Sequence, residues 1–153
     1  MLGKQGGSTD WERLRMKVRF DYRGRAQQGK LFGGKNGEQV AEEIRQNKIS
    51  LIRNVPIQGI YIEDIDMGLE TYSVVDEITG KTISYAPVII TLTADTIEEV
   101  LKFTMKDEFR TIEIINPEEI TLSKVDLERL LLKVSEELGN YRTYLERKID
   151  NWR

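Results

Sequence analysis

The clearest pattern near the start of the chain is a strict alternation. Leu14, Met16, Val18, Phe20 and Tyr22 occupy one phase, and Arg15, Lys17, Arg19, Asp21 and Arg23 the other. Period two with one apolar face predicts a half-buried strand. Gly24, Gly29, Gly33 and Gly34 then predict a loop from Arg23 to Asn36, with a short strand at Lys30 to Phe32 forming a hairpin with the first. Gly37 to Lys48 reads as a helix, because Val40, Ala41 and Ile44 share one face and Asn36 is placed to cap it. Ile49 to Ile52 reads as a brief strand interrupted by Pro56. Ile57 to Asp66, Glu70 to Asp76 and Thr82 to Ala94 read as strands. A tight turn at Thr79-Gly80 joins the last two, and a bend is expected near Pro87.

Asp95, with Glu98 three residues on, predicts a capped helix from Thr96 to Lys106 that buries Ile97, Val100, Leu101 and Met105. Arg110 to Asn116 is an Ile-rich strand stopped by Asn116-Pro117. The strongest local signal comes last. Ser123 caps, Asp126 stands at the third helical position, and Leu122 and Leu127 suit a hydrophobic staple. Leu127, Leu131, Val134, Leu138, Tyr141 and Leu145 then recur at alternating spacings of four and three, and Ile149 and Trp152 continue after a slip in phase. Gly139-Asn140 leaves open whether this segment is one helix or two.

With the short uncertain strands set aside, the central order is β-α-β-β-α-β followed by a long helix. That order predicts an α+β, ferredoxin-like antiparallel sheet with helices on one face. The division expected is a disordered lead-in at 1–10, an α+β domain at 11–121 and a C-terminal helical segment at 122–153.

Composition narrows the chemistry. The 153 residues include no His and no Cys. This removes the usual nucleophile–base pairs, the neutral-pH proton shuttle and the thiolate and imidazole metal sites. The lack of Cys, and of any apolar run near the roughly 20 residues of a membrane helix, points to a cytoplasmic protein with no membrane partner. Abundant Ile, Glu, Lys and Arg lean toward a thermophile. The net charge of −3 conceals a split. Residues 1–36 carry nine basic against three acidic residues, or +6, and the rest fourteen against twenty-three, or −9. Such a split marks an anion-binding face or two halves that attract each other.

Five features could carry function. Gly29 to Asn36 approaches a phosphate-binding loop, with Lys35 in the lysine position, but Asn36 stands where a Mg²⁺-holding hydroxyl is needed. A hairpin loop capping a helix is the simpler reading. Phe20, Tyr22, Gly24, Arg25 and Gly29, ahead of Val40, Ala41 and Ile44, resemble the start of the inner-membrane platform proteins of type II secretion and type IV pili. Those proteins need membrane helices, so the likeness is read as a strand-turn-helix pattern and no function is carried over. Asp64, Asp66 and Glu70, with Glu63 on the opposite strand face, could hold Mg²⁺ or Mn²⁺. Pairing with Arg15, Lys17 or Arg19 explains the same carboxylates. Arg15, Lys17, Arg19 and Arg23, flanked by Tyr61, Tyr72 or Tyr85 if the sheet order permits, could hold single-stranded nucleic acid or another anion. Finally, Leu131, Val134, Leu138, Tyr141, Leu145, Ile149 and Trp152 could form a seam with a second copy or a partner helix, since a small sheet is hardly long enough to cover them. The leading expectation is a non-catalytic, cofactor-free module that self-associates through this seam. The alternatives are a metal-assisted enzyme and an anion or nucleic-acid binder.

Overall fold

A computed structural model of the chain describes residues 13–27 and 33–151. The expected lead-in at 1–10, the short strand at Lys30 to Phe32 and Trp152 lie outside the described residues. The remainder is α+β. Five strands form one antiparallel sheet: β1 (Leu14–Gly24), β2 (Ile60–Asp66), β3 (Tyr72–Val75), β4 (Thr82–Ala94) and β5 (Phe109–Asn116). Three helices accompany it: α1 (Gly37–Asn54), α2 (Ile97–Thr104) and α3 (Lys124–Asp150).

The strand order is β2-β4-β1-β5, and β3 pairs with β4. β1 and β4 are central and pair without a break from Leu14↔Ala94 to Gly24↔Ser84. β2 takes the outer edge of β4 opposite residues 89–94, and β3 continues that edge opposite 82–85. Pro87 falls in the gap between them, which suits a residue that has no N–H to give a neighbour. Arg45 of α1 fills the gap, its Nη1 donating to the carbonyls of Pro87 at 3.0 Å and Leu69 at 3.3 Å. The pairing of β4 with β1 continues in register through Pro87.

The apolar phase of β1 faces inward with Ala86, Val88, Ile90, Leu92 and Ala94 of β4. α1 and α2 close this face. Phe20 meets Phe103 of α2 edge-on at 5.4 Å and Phe109 at 6.3 Å, the geometry aromatic rings favour. Ile49 is fully buried in the same core. The Ile49 to Ile52 segment is therefore helical and not a strand. Ile49 and Ile52 extend the Val40–Ala41–Ile44 stripe at spacings of three to five, and helical burial outweighs the strand preference of isoleucine. Val55 ends the helix just before Pro56. At its other end, Asn36 and Gln39 form a reciprocal capping box at 2.8 and 3.0 Å.

Two further expectations change. The cap of α2 is Thr96, whose Oγ1 accepts from the Glu99 N–H at 3.3 Å. Asp95 instead accepts from the Tyr61 hydroxyl at 3.0 Å and pairs with Arg13. α2 buries Val100 and Phe103, while Ile97, Leu101 and Met105 are only partly covered. α3 is one helix of 27 residues, about 40 Å long, and runs through Gly139-Asn140. Ser123 and Asp126 form its capping box. Among the described residues, no helix is long and apolar enough to cross a membrane.

The tightest backbone approach is at Gly24, where β1 passes beneath the start of α1. A Cβ there would lie 2.2 Å from the Ala41 nitrogen and 2.6 Å from the Gly37 oxygen. Both are backbone atoms that cannot turn aside. Gly24→Ala is expected to destabilise the fold by about 2 kcal/mol or more through overpacking. Urea denaturation followed by far-UV circular dichroism measures this, and an unchanged midpoint would contradict the close approach.

Candidate functional site

The alternate phase of β1 and β4 forms the outer face of the sheet. β1 places Arg15, Lys17, Arg19, Asp21 and Arg23 there, and β4 contributes Tyr85, Pro87, Ile89, Thr91 and Thr93. Tyr72 stacks on Tyr85 at 5.2 Å, and Arg110 lies over the Tyr85 ring at 5.3 Å. The expected neighbourhood of cations and tyrosines therefore exists, with Tyr61 further along the same face over Thr93.

Its electrostatics differ from a free basic stripe. Arg15 Nε donates to both Glu63 carboxylate oxygens, at 2.9 and 3.2 Å. Glu63 follows Tyr61 onto the outer face, and a bulge between Ile62 and Asp64 brings Asp64 onto that face as well. The bulge shifts the side-chain alternation, so the two carboxylates do not lie on opposite faces as a regular strand would place them. Lys17 stands across from Glu113. Arg19 grips Asp21 through Nε at 2.8 Å and Nη2 at 3.3 Å. Five basic residues, counting Arg110, thus share the face with Asp21, Glu63, Asp64, Asp66 and Glu113. The formal charges of these ten groups balance.

Asp21 is the centre of this face. It is 2% exposed, although it sits on the polar phase. Arg19, Arg110 at 3.6 Å and the Tyr72 hydroxyl surround its carboxylate. A buried charge persists only when paired and hydrogen-bonded. The carboxylate holds the Arg19 guanidinium above its ordinary range, chiefly through the hydrogen bond. Tyr72 is raised first by burial and then by its bond to Asp21, so its phenol stays protonated and donates. Arg110 and Tyr72 were not readable as partners of Asp21 from the sequence, since they arrive from β5 and β3.

Asp64 and Asp66 share the outer face, but the carboxylates do not converge on a common point. Asp66 Oδ1 accepts from the Gly68 N–H in a turn, and Asp64 faces Thr91. Among the described residues, no three carboxylates are grouped to hold a metal ion. Lys35 is away from the sheet face, pairing with Glu43 at 2.5 Å.

Much of the C-terminal stripe is exposed. α3 packs mainly on α2 and does not lie on the sheet. Leu130, Lys133, Val134 and Glu137 turn toward cover, but no residue of α3 is buried. Leu131 and Leu132 are each 62% exposed, and Leu138, Tyr141, Leu145 and Ile149 are exposed as well. Beyond Gly139 every described residue is exposed; the Tyr141 hydroxyl there donates to Asp107 at 2.6 Å. A second exposure accompanies it. Ile112 and Ile114 of the edge strand β5 sit opposite Val18 and Met16 on the inner face, yet remain 40% and 46% exposed. The sequence signalled this strand as Ile-rich but gave no sign that its inner face lacks cover.

No family model, curated protein or solved structure shows a significant match to this chain. Any functional reading therefore rests on the two surfaces themselves. The outer face is a polar network of paired charges, and exposed apolar residues lie on α3 and on the inner face of β5.

Replacing the central carboxylate should show which role Asp21 has. Asp21→Asn removes the acceptor charge from two arginines that can still reach water. It is expected to cost about 2 kcal/mol, the range for hydrogen bonds to charged groups. Thermal unfolding should give a lower midpoint with an unchanged native spectrum. An equal or higher midpoint would mean the network does not stabilise the sheet.

Proposed function

We propose that this chain is a non-catalytic assembly module that pairs with a second copy of itself through α3. The observation that carries the reading is a 27-residue amphipathic helix without a single buried residue. Helices of this kind gain most of their stability from packing an apolar face, since nucleation is costly and propensity contributes little. The ion pairs Lys133–Glu137 and Arg142–Glu146 support the helix, at about 0.2–0.5 kcal/mol each. Burying one leucine is worth roughly 1.5–3 kcal/mol, so a partner surface offers much more. The alternating four-and-three spacing suits knobs-into-holes packing along a seam. Ile112 and Ile114 on the uncovered edge strand extend the apolar surface available to the partner, and unprotected strand edges of this kind are usually covered.

The same reading takes the sheet as ferredoxin-like. β1 and β2 run parallel with β4 between them, and β4 and β5 run parallel with β1 between them. Two interleaved split βαβ units support that assignment, with β3 as an addition to one edge. Fold of this kind hosts many functions and adds nothing to the functional argument.

Light scattering of the full chain at micromolar concentration is expected to give at least twice the 17.7 kDa chain mass. Leu138→Asp with Leu145→Asp places two charges in the seam and should give a folded monomer, its sheet retained by circular dichroism. A monomeric wild type, or a double variant that keeps the wild-type mass, would refute pairing through α3.

A further inference from the structure

A cavity of about 300 Å³ opens between the C-terminal half of α1 and the turn that follows α2. It is separate from the α3 seam and from the outer face of the sheet. Leu51, Ile52, Val55 and Ile57 form its apolar wall. Tyr22, Lys48, Lys106 and Glu108 supply its polar groups.

Tyr22 is the informative residue. It is 4% exposed and stacks on Phe20 within the core. Its hydroxyl has no hydrogen-bond partner among the described residues, yet it is not sealed from solvent, so it is reached from outside the core. The side chain lines the cavity, so the cavity is where a partner for that hydroxyl can be placed. Burial and the Glu108 charge push the Tyr22 phenol well up, so it remains a neutral donor. The cavity therefore offers an O–H to an acceptor.

The charged groups favour an anionic acceptor. Two lysines stand against one glutamate. Lys106 lies over the Phe103 ring at 5.4 Å; burial chiefly holds its pKa below the ordinary lysine value, the Glu108 charge opposes this and Lys48 adds a smaller lowering. The lining thus carries one more positive than negative charge, which a negative group in the cavity would balance. The volume is at the small end of ligand pockets, which span roughly 300–1,000 Å³, so a cofactor-sized molecule does not fit.

We propose that this cavity binds a small amphipathic carboxylate, its head group taken by the Tyr22 hydroxyl and the Lys48–Lys106 pair and its apolar body lying on Leu51, Ile52, Val55 and Ile57. The probe is octanoate, titrated into the ¹⁵N-labelled full chain and followed by amide chemical shifts, with octanol as the uncharged counterpart. Saturable shifts confined to residues 48–57 and 105–108 are expected with octanoate and not with octanol. Tyr22→Phe and Lys106→Gln should each raise the Kd at least tenfold. Lys106 is at the surface, so its variant decides the matter if Tyr22→Phe does not fold. Absence of saturable shifts, equal binding of octanol, or an unchanged Kd in Lys106→Gln would overturn the proposal.

Discussion

The pairing of β1 with β4 sets the rest of the molecule. Eleven consecutive residues of β1 meet β4 without a bulge. A shift of one residue would turn Met16, Val18 and Phe20 to the outer face and bring Arg15, Lys17 and Arg19 into the core. Because that exchange is prohibitive, the register is fixed, and with it the faces of every other strand. α1 and α2 then have one apolar surface to close. The aromatic contacts of Phe20 with Phe103 and Phe109 join the central strand to α2 and β5.

The same pairing brings together Pro87 and Asp21. Pro87 interrupts the edge of β4 where neither β2 nor β3 pairs with it, and Arg45 supplies donors to the carbonyls left there. Asp21 stands opposite Pro87 and is enclosed by Arg19, Arg110 and Tyr72. One network thus ties β1, β3 and β5 across the outer face. Asp21 and Arg19 of that network come from the basic N-terminal segment, and Arg110 comes from the acidic remainder.

The turn after α2 serves two neighbours. Asp107 accepts from Tyr141 of α3, while Lys106 and Glu108 on either side line the cavity above Tyr22. Three successive side chains therefore connect the helix proposed to pair subunits with the pocket proposed to take a ligand. Glu108 also accepts the Asp21 N–H at 2.9 Å through its carbonyl, which anchors the turn to β1.

Much of this was legible in the sequence. Period two in β1, the capping signals at Asn36 and Ser123, and the repeat of α3 each report a local preference, and each element formed where its pattern lay. Ile49 to Ile52 misled because a short apolar run fits helix and strand alike, and burial against the sheet decided between them. The bulge at Glu63 and the cap at Thr96 depended on contacts with distant residues. So did the meeting of Asp21 with Tyr72 and Arg110, residues 51 and 89 positions further along. The chain by itself determined which faces are apolar, since side-chain periodicity is a local property of the backbone. Tertiary structure alone decided which of those faces are covered: β1 is enclosed, whereas α3 and the inner face of β5 are not, because cover depends on what non-local pairing brings alongside.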